Sequence, residues 1–306
     1  MKESYKNNYF HGYFFALIAT AIWSGNFIVA RNLSDTIPPV SLAFWRWLIA
    51  FLALSPFAVK RFIKDWHLLK KHFLYLMITS LFGVTIFNTL IYIAGHTTTA
   101  INLSLISITF PIFIIIISRF LYKEKITFEK IVGIVLVGIG VVLIITSGSP
   151  TLLFQLTFFK GDIWMLLASI IFAIYSILLK HKPKEINVLT FQYATFTFGL
   201  LMLFPFYLIE LSIVKPIIYN STSIISIFYV GIGASLIAFI LWNKAILIIG
   251  PVRSGMVYYT LPVFSGFLAF LILKEDLSTN HYYSAFLIVS GIILSNYKTK
   301  IQRNQV

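Results

Sequence analysis

Apolar residues in this chain come in long blocks, and polar residues gather in the short gaps between them. Ten blocks stand out, at residues 12–30, 40–59, 72–94, 100–121, 131–147, 161–180, 189–211, 223–243, 253–273 and 281–297. Each comes close to the roughly 20 apolar residues that a helix needs to cross a hydrocarbon layer of about 30 Å. The gaps run to about 5 to 13 residues, too short to hold an inserted soluble domain. The pattern predicts an all-α polytopic membrane protein with ten transmembrane helices.

Composition agrees with the pattern. Hydrophobic residues make up 59% and charged residues 11%, with a mean hydropathy of +0.90. A soluble domain of this length would need far more polar surface to cover its core. The N-terminal MKESYKNNYFHG is weakly basic, and Ala19-Thr20-Ala21 bears a faint likeness to a signal-peptidase site. The apolar block continues past it to Ala30, which suits an uncleaved helix better. There is no cysteine, which removes disulfides, thiolate catalysis and Cys-based metal sites.

The net charge of +14 raises nucleic acid as a partner until the basic residues are placed. With ten spans both termini share one side. That side carries nineteen basic residues, among them Lys60, Arg61, Lys64, Lys70, Lys71, Lys180, Lys182 and Lys184. The other side has four: Arg31, Lys160, Lys215 and Lys274. The positive-inside rule places both termini in the cytoplasm and makes the excess a topology signal. The expected partners are therefore a lipid bilayer and a small-molecule substrate, with no nucleic acid, metal or cofactor. Monomer and homodimer both stay open.

The chain also repeats itself. TFPIFIIIISRFLYKEKIT from Thr109 returns as TLPVFSGFLAFLILKEDLS from Thr260. A shift of 151 lays Pro111 on Pro262, Glu124 on Glu275, Ala94 on Ala245 and Gly140 on Gly291. A shift of about 149 brings Trp23 to Phe172 and Arg31 to Lys180. FWRWLIAFLALSPF faces FQYATFTFGLLMLFPF, with Pro56 and Pro205 near their ends. This ordered set argues for duplication, with a first repeat at 1–147, a linker at 148–160 and a second repeat at 161–306. Five spans is an odd number, so the second repeat must lie inverted in the membrane. Many secondary transporters share this design and hold substrate between the halves near the midplane. Inversion puts Glu124 inside and Glu275 outside.

With these features the chain resembles the drug/metabolite transporter superfamily, in its EamA-type branch, over essentially its whole length. The resemblance rests on the 5+5 layout and on Phe44-x-Arg46-Trp47 in the second helix. It rests further on Tyr92-x-Ala94 against Trp242-Asn-Lys-Ala245, on the two Thr-x-Pro…Glu stretches, and on Gly161-Asp162 opening the sixth helix. Lys244, Arg253 and His96 depart from the usual pattern. The resemblance implies a ten-helix bundle whose central cavity, walled mainly by helices 1, 3, 4, 6, 8 and 9, opens alternately to each side. It also implies export of amino acids or related metabolites.

Polar groups inside spans are costly, and so mark the place to look for function. All ten acidic residues and all six histidines fall in gaps or at block ends. No proton relay is placed at mid-membrane, and no cluster suits a membrane enzyme or lipid-handling protein. One charge sits inside a span: Arg46, about 9 Å deep if counted from Val40. It can recognise a substrate carboxylate or phosphate. Alternatively it is structural, pairing with backbone carbonyls while its stem packs between Trp45 and Trp47.

Neutral polar and aromatic residues complete the candidate lining: Trp23, Asn26, Asn88, Tyr92, Tyr175, Gln192, Trp242, Asn243, Tyr258 and Tyr259. Amides and hydroxyls bind a zwitterion or heterocycle without a fixed charge, and aromatic faces stack on flat or cationic groups. The same residue types also form interfacial belts and glue helices together. Asn88 and Tyr92, one turn apart, share a face. Trp242 and Asn243 are expected near the cytoplasmic end of the eighth helix. Pro111 and Pro262 are candidate hinges, because the missing N–H loosens a helix. Gly133, Gly138, Gly140, Ser284, Ser290 and Gly291 are read as packing residues. The function expected is secondary transport of a small polar or amphipathic metabolite by alternating access. Uptake of a nucleotide-like metabolite such as S-adenosylmethionine is the alternative.

Overall fold

A computed structural model describes residues 2–123, 126–146, 148–149, 151, 157, 159–214, 220–268 and 279–296. Glu124 and Glu275, which close the twin stretches, lie outside the described residues. The first span is α1 (Lys2–Ser24) and α2 (Asn26–Asn32), parted at Gly25. The second is α3 (Pro39–Lys64), followed by a short α4 (Trp66–Lys71) that the sequence pattern did not predict. The third is α5 (Phe73–Ser80), a π-helical turn at Leu81–Ile86, and α6 (Phe87–Thr97). The fourth is α7 (Ala100–Ser107) and α8 (Phe110–Tyr122), and the fifth is α9 (Phe128–Ile145).

The second half follows the same order. It has α10 (Lys160–Leu179) and α11 (Val188–Ile213), then α12 (Ser221–Phe228), a π-helical stretch at Tyr229–Ile237, and α13 (Ala238–Ile249). The ninth and tenth spans are α14 (Pro251–Tyr258) with α15 (Leu261–Leu268), and α16 (Thr279–Ser295). Among the described residues, six of these spans are long and apolar enough to cross a membrane. The other four are helical too. Two are interrupted, at Gly25 and at Tyr259–Thr260, and two are short among the described residues, at 18 and 17 residues. Phe57, Phe120, Phe128 and Phe286 point outward, more than two-thirds exposed, as lipid-facing side chains do.

Packing follows the inverted repeat. α9 lies against α16, α3 against α11, α1 against α13, and α10 against α6. The repeat exchanges spans one and six, two and seven, three and eight, four and nine, five and ten. The pair of spans one and eight therefore becomes six and three, while two–seven and five–ten map onto themselves. A two-fold axis in the membrane plane produces that pattern. Gly12 packs on Ile248 and Ile249, and its mate Gly161 packs on Thr97 and Thr98, 151 residues before those isoleucines. Gly133 and Gly291 meet reciprocally: a Cβ on either would fall 2.5 Å from the other's carbonyl oxygen. Gly138, grouped with them from the sequence, faces open space instead.

The interruptions repeat as well. The fourth span breaks at Ile108–Thr109 and the ninth at Tyr259–Thr260. Thr109 Oγ1 donates to Ile106 O (2.7 Å) and Thr260 Oγ1 to Val257 O (2.8 Å). Pro111 and Pro262 each stand second in the half-helix that follows. There the missing N–H is one that helix geometry leaves unpaired anyway. The irregularity thus lies at the threonines, two residues before each proline.

Two buried carboxylates stitch helix ends together. Pro38 gives α3 no side-chain cap. Glu210, near the end of α11, accepts from Val40 N (3.0 Å), Ser41 N (2.6 Å) and Ser41 Oγ (2.7 Å) in its place. At the opposite end of the same pair, Thr190 Oγ1 donates to Asp65 (3.2 Å). Asp162 accepts from Phe159 N (2.8 Å) and Asn102 Nδ2 (2.9 Å) and from the Thr98 hydroxyl, tying the start of α10 to the turn before α7.

Candidate functional site

Arg46 is fully buried on α3, and its guanidinium draws together three other elements. Nε donates to Ser235 Oγ (2.6 Å). Nη1 donates to Tyr92 OH (2.6 Å), Asn88 Oδ1 (2.7 Å) and, more weakly, Asn26 Oδ1 (3.3 Å). The cation also lies over the rings of Trp47 (5.2 Å) and Tyr92 (5.5 Å). These partners are side chains, not the backbone carbonyls of the structural reading. Ser235 Oγ donates in turn to Val230 O (2.8 Å), five residues back, within the π-helical stretch.

Among the described residues no carboxylate pairs with Arg46. Two donors are left over: Arg46 Nη2 and Asn88 Nδ2 are buried without a partner. A guanidinium only donates, so it fixes the Asn88 oxygen toward itself and the amide nitrogen elsewhere. Buried donors of this kind are costly to leave unmade. The arrangement suits a ligand that brings acceptor oxygens.

The second half builds the related cluster without a charge. Tyr175 OH donates to Asn243 Oδ1 (3.0 Å), Asn243 Nδ2 to Gln192 Oε1 (2.5 Å), and Trp242 Nε1 to Ser176 Oγ (3.3 Å). Asn243 is the repeat mate of Tyr92, and Tyr175 of Asn26. Between the two clusters stands a block of rings. Trp23 meets Trp242 (5.2 Å), Phe172 (5.4 Å) and Phe239 (5.5 Å), and Phe110 meets Phe172 (4.8 Å) and Tyr258 (5.0 Å). Trp23 Nε1 donates to Ala234 O (2.8 Å). Trp23, Asn26, Phe87, Asn88, Phe172 and Tyr258 border a cavity of about 10 Å³, room for about one water. The site is occluded.

Most of the sequence candidates therefore converge. Asn26, Arg46, Asn88 and Tyr92 form one cluster, Tyr175, Gln192 and Asn243 the other, and Trp23, Trp242 and Tyr258 the ring block. Tyr259 is set apart, packed with Ile115, Val137, Met256 and Ile288 between α8, α9, α14 and α16. Trp242 and Asn243 are not at a helix end as expected. α13 continues to Ile249, and both are buried. Ser235, Phe87, Phe110 and Phe239 were missed. Phe172 was available as the mate of Trp23. Ser235 was not, because it sits in the apolar run GIGASLIAF and the π-helical stretch decides where it points.

On the α4 side, His72 Nε2 and Glu185 Oε1 lie 2.8 Å apart and Lys71 Nζ 3.5 Å from the same oxygen. The Glu185 carboxyl is held down at about 2, first by its own backbone N–H and then by His72 and Lys71. Burial pushes Lys182 below its ordinary value, against the pull of Glu185.

Comparison with known proteins gives a consistent picture. Residues 10–146 and 159–297 match the model of the EamA-like transporter family. An uncharacterized transporter of Archaeoglobus fulgidus is 26% identical over 280 residues, covering 90% of this chain and 94% of that one. The uncharacterized transporter YetK of Bacillus subtilis is 27% identical, covering 92% of this chain and 86% of its own. YyaM of the same organism, also an uncharacterized transporter, is 24% identical, covering 94% of each. A solved crystal structure superposes with a TM-score of 0.68 at 17% identity, covering 93% of this chain and 96% of that one, a likeness of fold.

Proposed function

Since the chain belongs to the EamA-like transporter family and is a multi-pass membrane transporter, we propose that it exports a small metabolite carrying a carboxylate, an amino acid or a close relative, by alternating access. The observation that carries this reading is Arg46: a buried cation without a carboxylate among the described residues, with Nη2 and the neighbouring Asn88 Nδ2 unfilled. A substrate carboxylate supplies the missing acceptors and charge, and a bidentate pairing would fix its orientation. The apolar or flat part of the substrate rests against Trp23, Phe172 and Tyr258. A cavity of about 10 Å³ admits no such molecule, so helices must part on one side at a time. The breaks at Thr109 and Thr260, with Pro111 and Pro262 just beyond them, are the natural flex points beside the rings. The basic excess supports a topology with both termini in the cytoplasm, and no catalytic step is assigned.

Uptake of a nucleotide-like metabolite such as S-adenosylmethionine would use the same groups, with its base against the rings. Counterflow into liposomes by the purified protein separates the readings and tests the carboxylate. Labelled amino acids, nucleosides and S-adenosylmethionine are each offered against the unlabelled compound, and the active substrate against its methyl ester. The acid should exchange and the ester should not, at the same rate at two pH values. An ester that exchanges as fast as the acid contradicts the role given to Arg46.

A further inference from the structure

The corner between α3 and α4 carries charge that the fold itself leaves unmatched. α3 runs 26 residues, about 39 Å at 1.5 Å per residue, against a hydrocarbon layer of about 30 Å. Its last turns therefore emerge from the membrane. Phe57, Lys60, Arg61 and Lys64 recur at three- and four-residue spacing, all exposed on one face. After the turn at Asp65, α4 anchors itself inward through the fully buried Leu69, and Trp66 packs on Phe62 at 5.6 Å. Lys70 stays exposed with its ammonium 5.8 Å from the Trp66 ring.

Acidic groups take up only part of this charge. Arg61 pairs with Asp65 and Lys71 with Glu185, each at 3.5 Å. Lys60, Lys64 and Lys70 have no acidic partner among the described residues. The nearby 180–184 segment differs: Lys182 Nζ donates to the Pro183 (2.8 Å) and Ile186 carbonyls, and Lys180 lies over the Tyr122 ring at 3.8 Å. The α3–α4 corner also has an apolar flank, with Phe57, Ile63, Phe73 and Leu74 exposed along with Trp66, a residue type that favours membrane surfaces. A soluble anion would meet the lysines and leave that flank unmatched. A molecule with a negative head and apolar tails meets both.

We propose that the α3–α4 corner binds the headgroup of an anionic phospholipid, with Lys60, Lys64 and Lys70 around the phosphate and the acyl chains along Phe57 and Ile63. The site is separate from the transport cavity, so it stands or falls independently of the substrate reading. Purified protein is offered phosphatidylglycerol in a phosphatidylcholine background, and retained lipid is measured by native mass spectrometry. Each lysine near an anionic surface strengthens attachment about fivefold, so K60Q/K64Q/K70Q should weaken retention on the order of 100-fold. K180Q/K182Q/K184Q serves as the comparison and should retain the lipid, and millimolar inorganic phosphate should not displace it. Gel filtration of each variant shows whether it remains folded. Equal retention by the wild type and the α3–α4 variant overturns the proposal. So does an equal loss from the comparison variant, which would mean diffuse charge, and so does displacement by phosphate, which would mean a free-anion site.

Discussion

Arg46 joins α2, α3, α6 and the π-helical stretch of the eighth span through one guanidinium, and its neighbours carry separable roles. Ser235→Ala leaves Nε buried without an acceptor, a cost of about 1–3 kcal/mol. The melting temperature in detergent should fall accordingly, and an unchanged melt would mean that Ser235 does not hold the guanidinium. Asn88→Leu removes the amide beside the cavity and should lower counterflow at least tenfold, on the order of one lost charge-assisted contact, with insertion into the membrane intact. Normal transport by this variant would remove Asn88 from the site. Polarity in an apolar block was enough to nominate Asn26, Arg46, Asn88 and Tyr92. It could not reveal Ser235, whose neighbours are apolar and whose direction depends on a local change of helical pitch. It also could not separate Tyr259 from Tyr258: adjacent residues on a helix point about 100° apart, and only the packing decides which of the two meets the rings.

At the scale of elements, the close approach of α9 and α16 depends on absent side chains. Gly291→Ala would place a methyl 2.5 Å from Gly133 O, and overpacking of this kind costs about 1–3 kcal/mol. Gly138→Ala meets nothing within 4 Å and gains up to about 1 kcal/mol of helix propensity. Opposite shifts in thermal stability are expected, and equal shifts would contradict the packing. Glu185 sets the behaviour of the 180–187 turn with pH. Its carboxyl lies at about 2 in the fold against an ordinary 4.5. Its contribution is therefore present above 4.5 and fades as pH falls from there toward 2. Amide exchange at residues 182–187 should quicken over that window, and in Glu185→Gln it should already be fast at neutral pH. Spans were legible because their apolar length is imposed by the bilayer. The two π-helical segments and the separate α4 were not, since they follow from packing among helices that no single block contains.

At the scale of the molecule, the inverted repeat was the strongest signal in the chain, and helix packing follows it span for span. What the repeat could not supply is the present conformation. Two-fold relatives can sit in different states, and here the centre is closed. Gly95 on α6 approaches Ala30 on α2: a Cβ there would lie 3.6 Å from Ala30 Cβ. On the other side of the rings, a Cβ on Gly255 of α14 would lie 3.5 Å from Pro111 Cβ on α8. Both Cβ separations lie at the short end of the disulfide range. At Gly95 the new Cβ also lies 2.8 Å from Ala30 O, so the backbone there shifts slightly to admit it. The chain has no cysteine of its own to interfere. Alternating access requires each of these contacts to open in turn. The direct measurement is transport by Ala30→Cys/Gly95→Cys and by Pro111→Cys/Gly255→Cys, each reconstituted, oxidised, checked for the closed disulfide by mass, and then reduced. Either disulfide alone should stop counterflow and reduction should restore it. Wild-type transport with either one closed would contradict alternating access around this site.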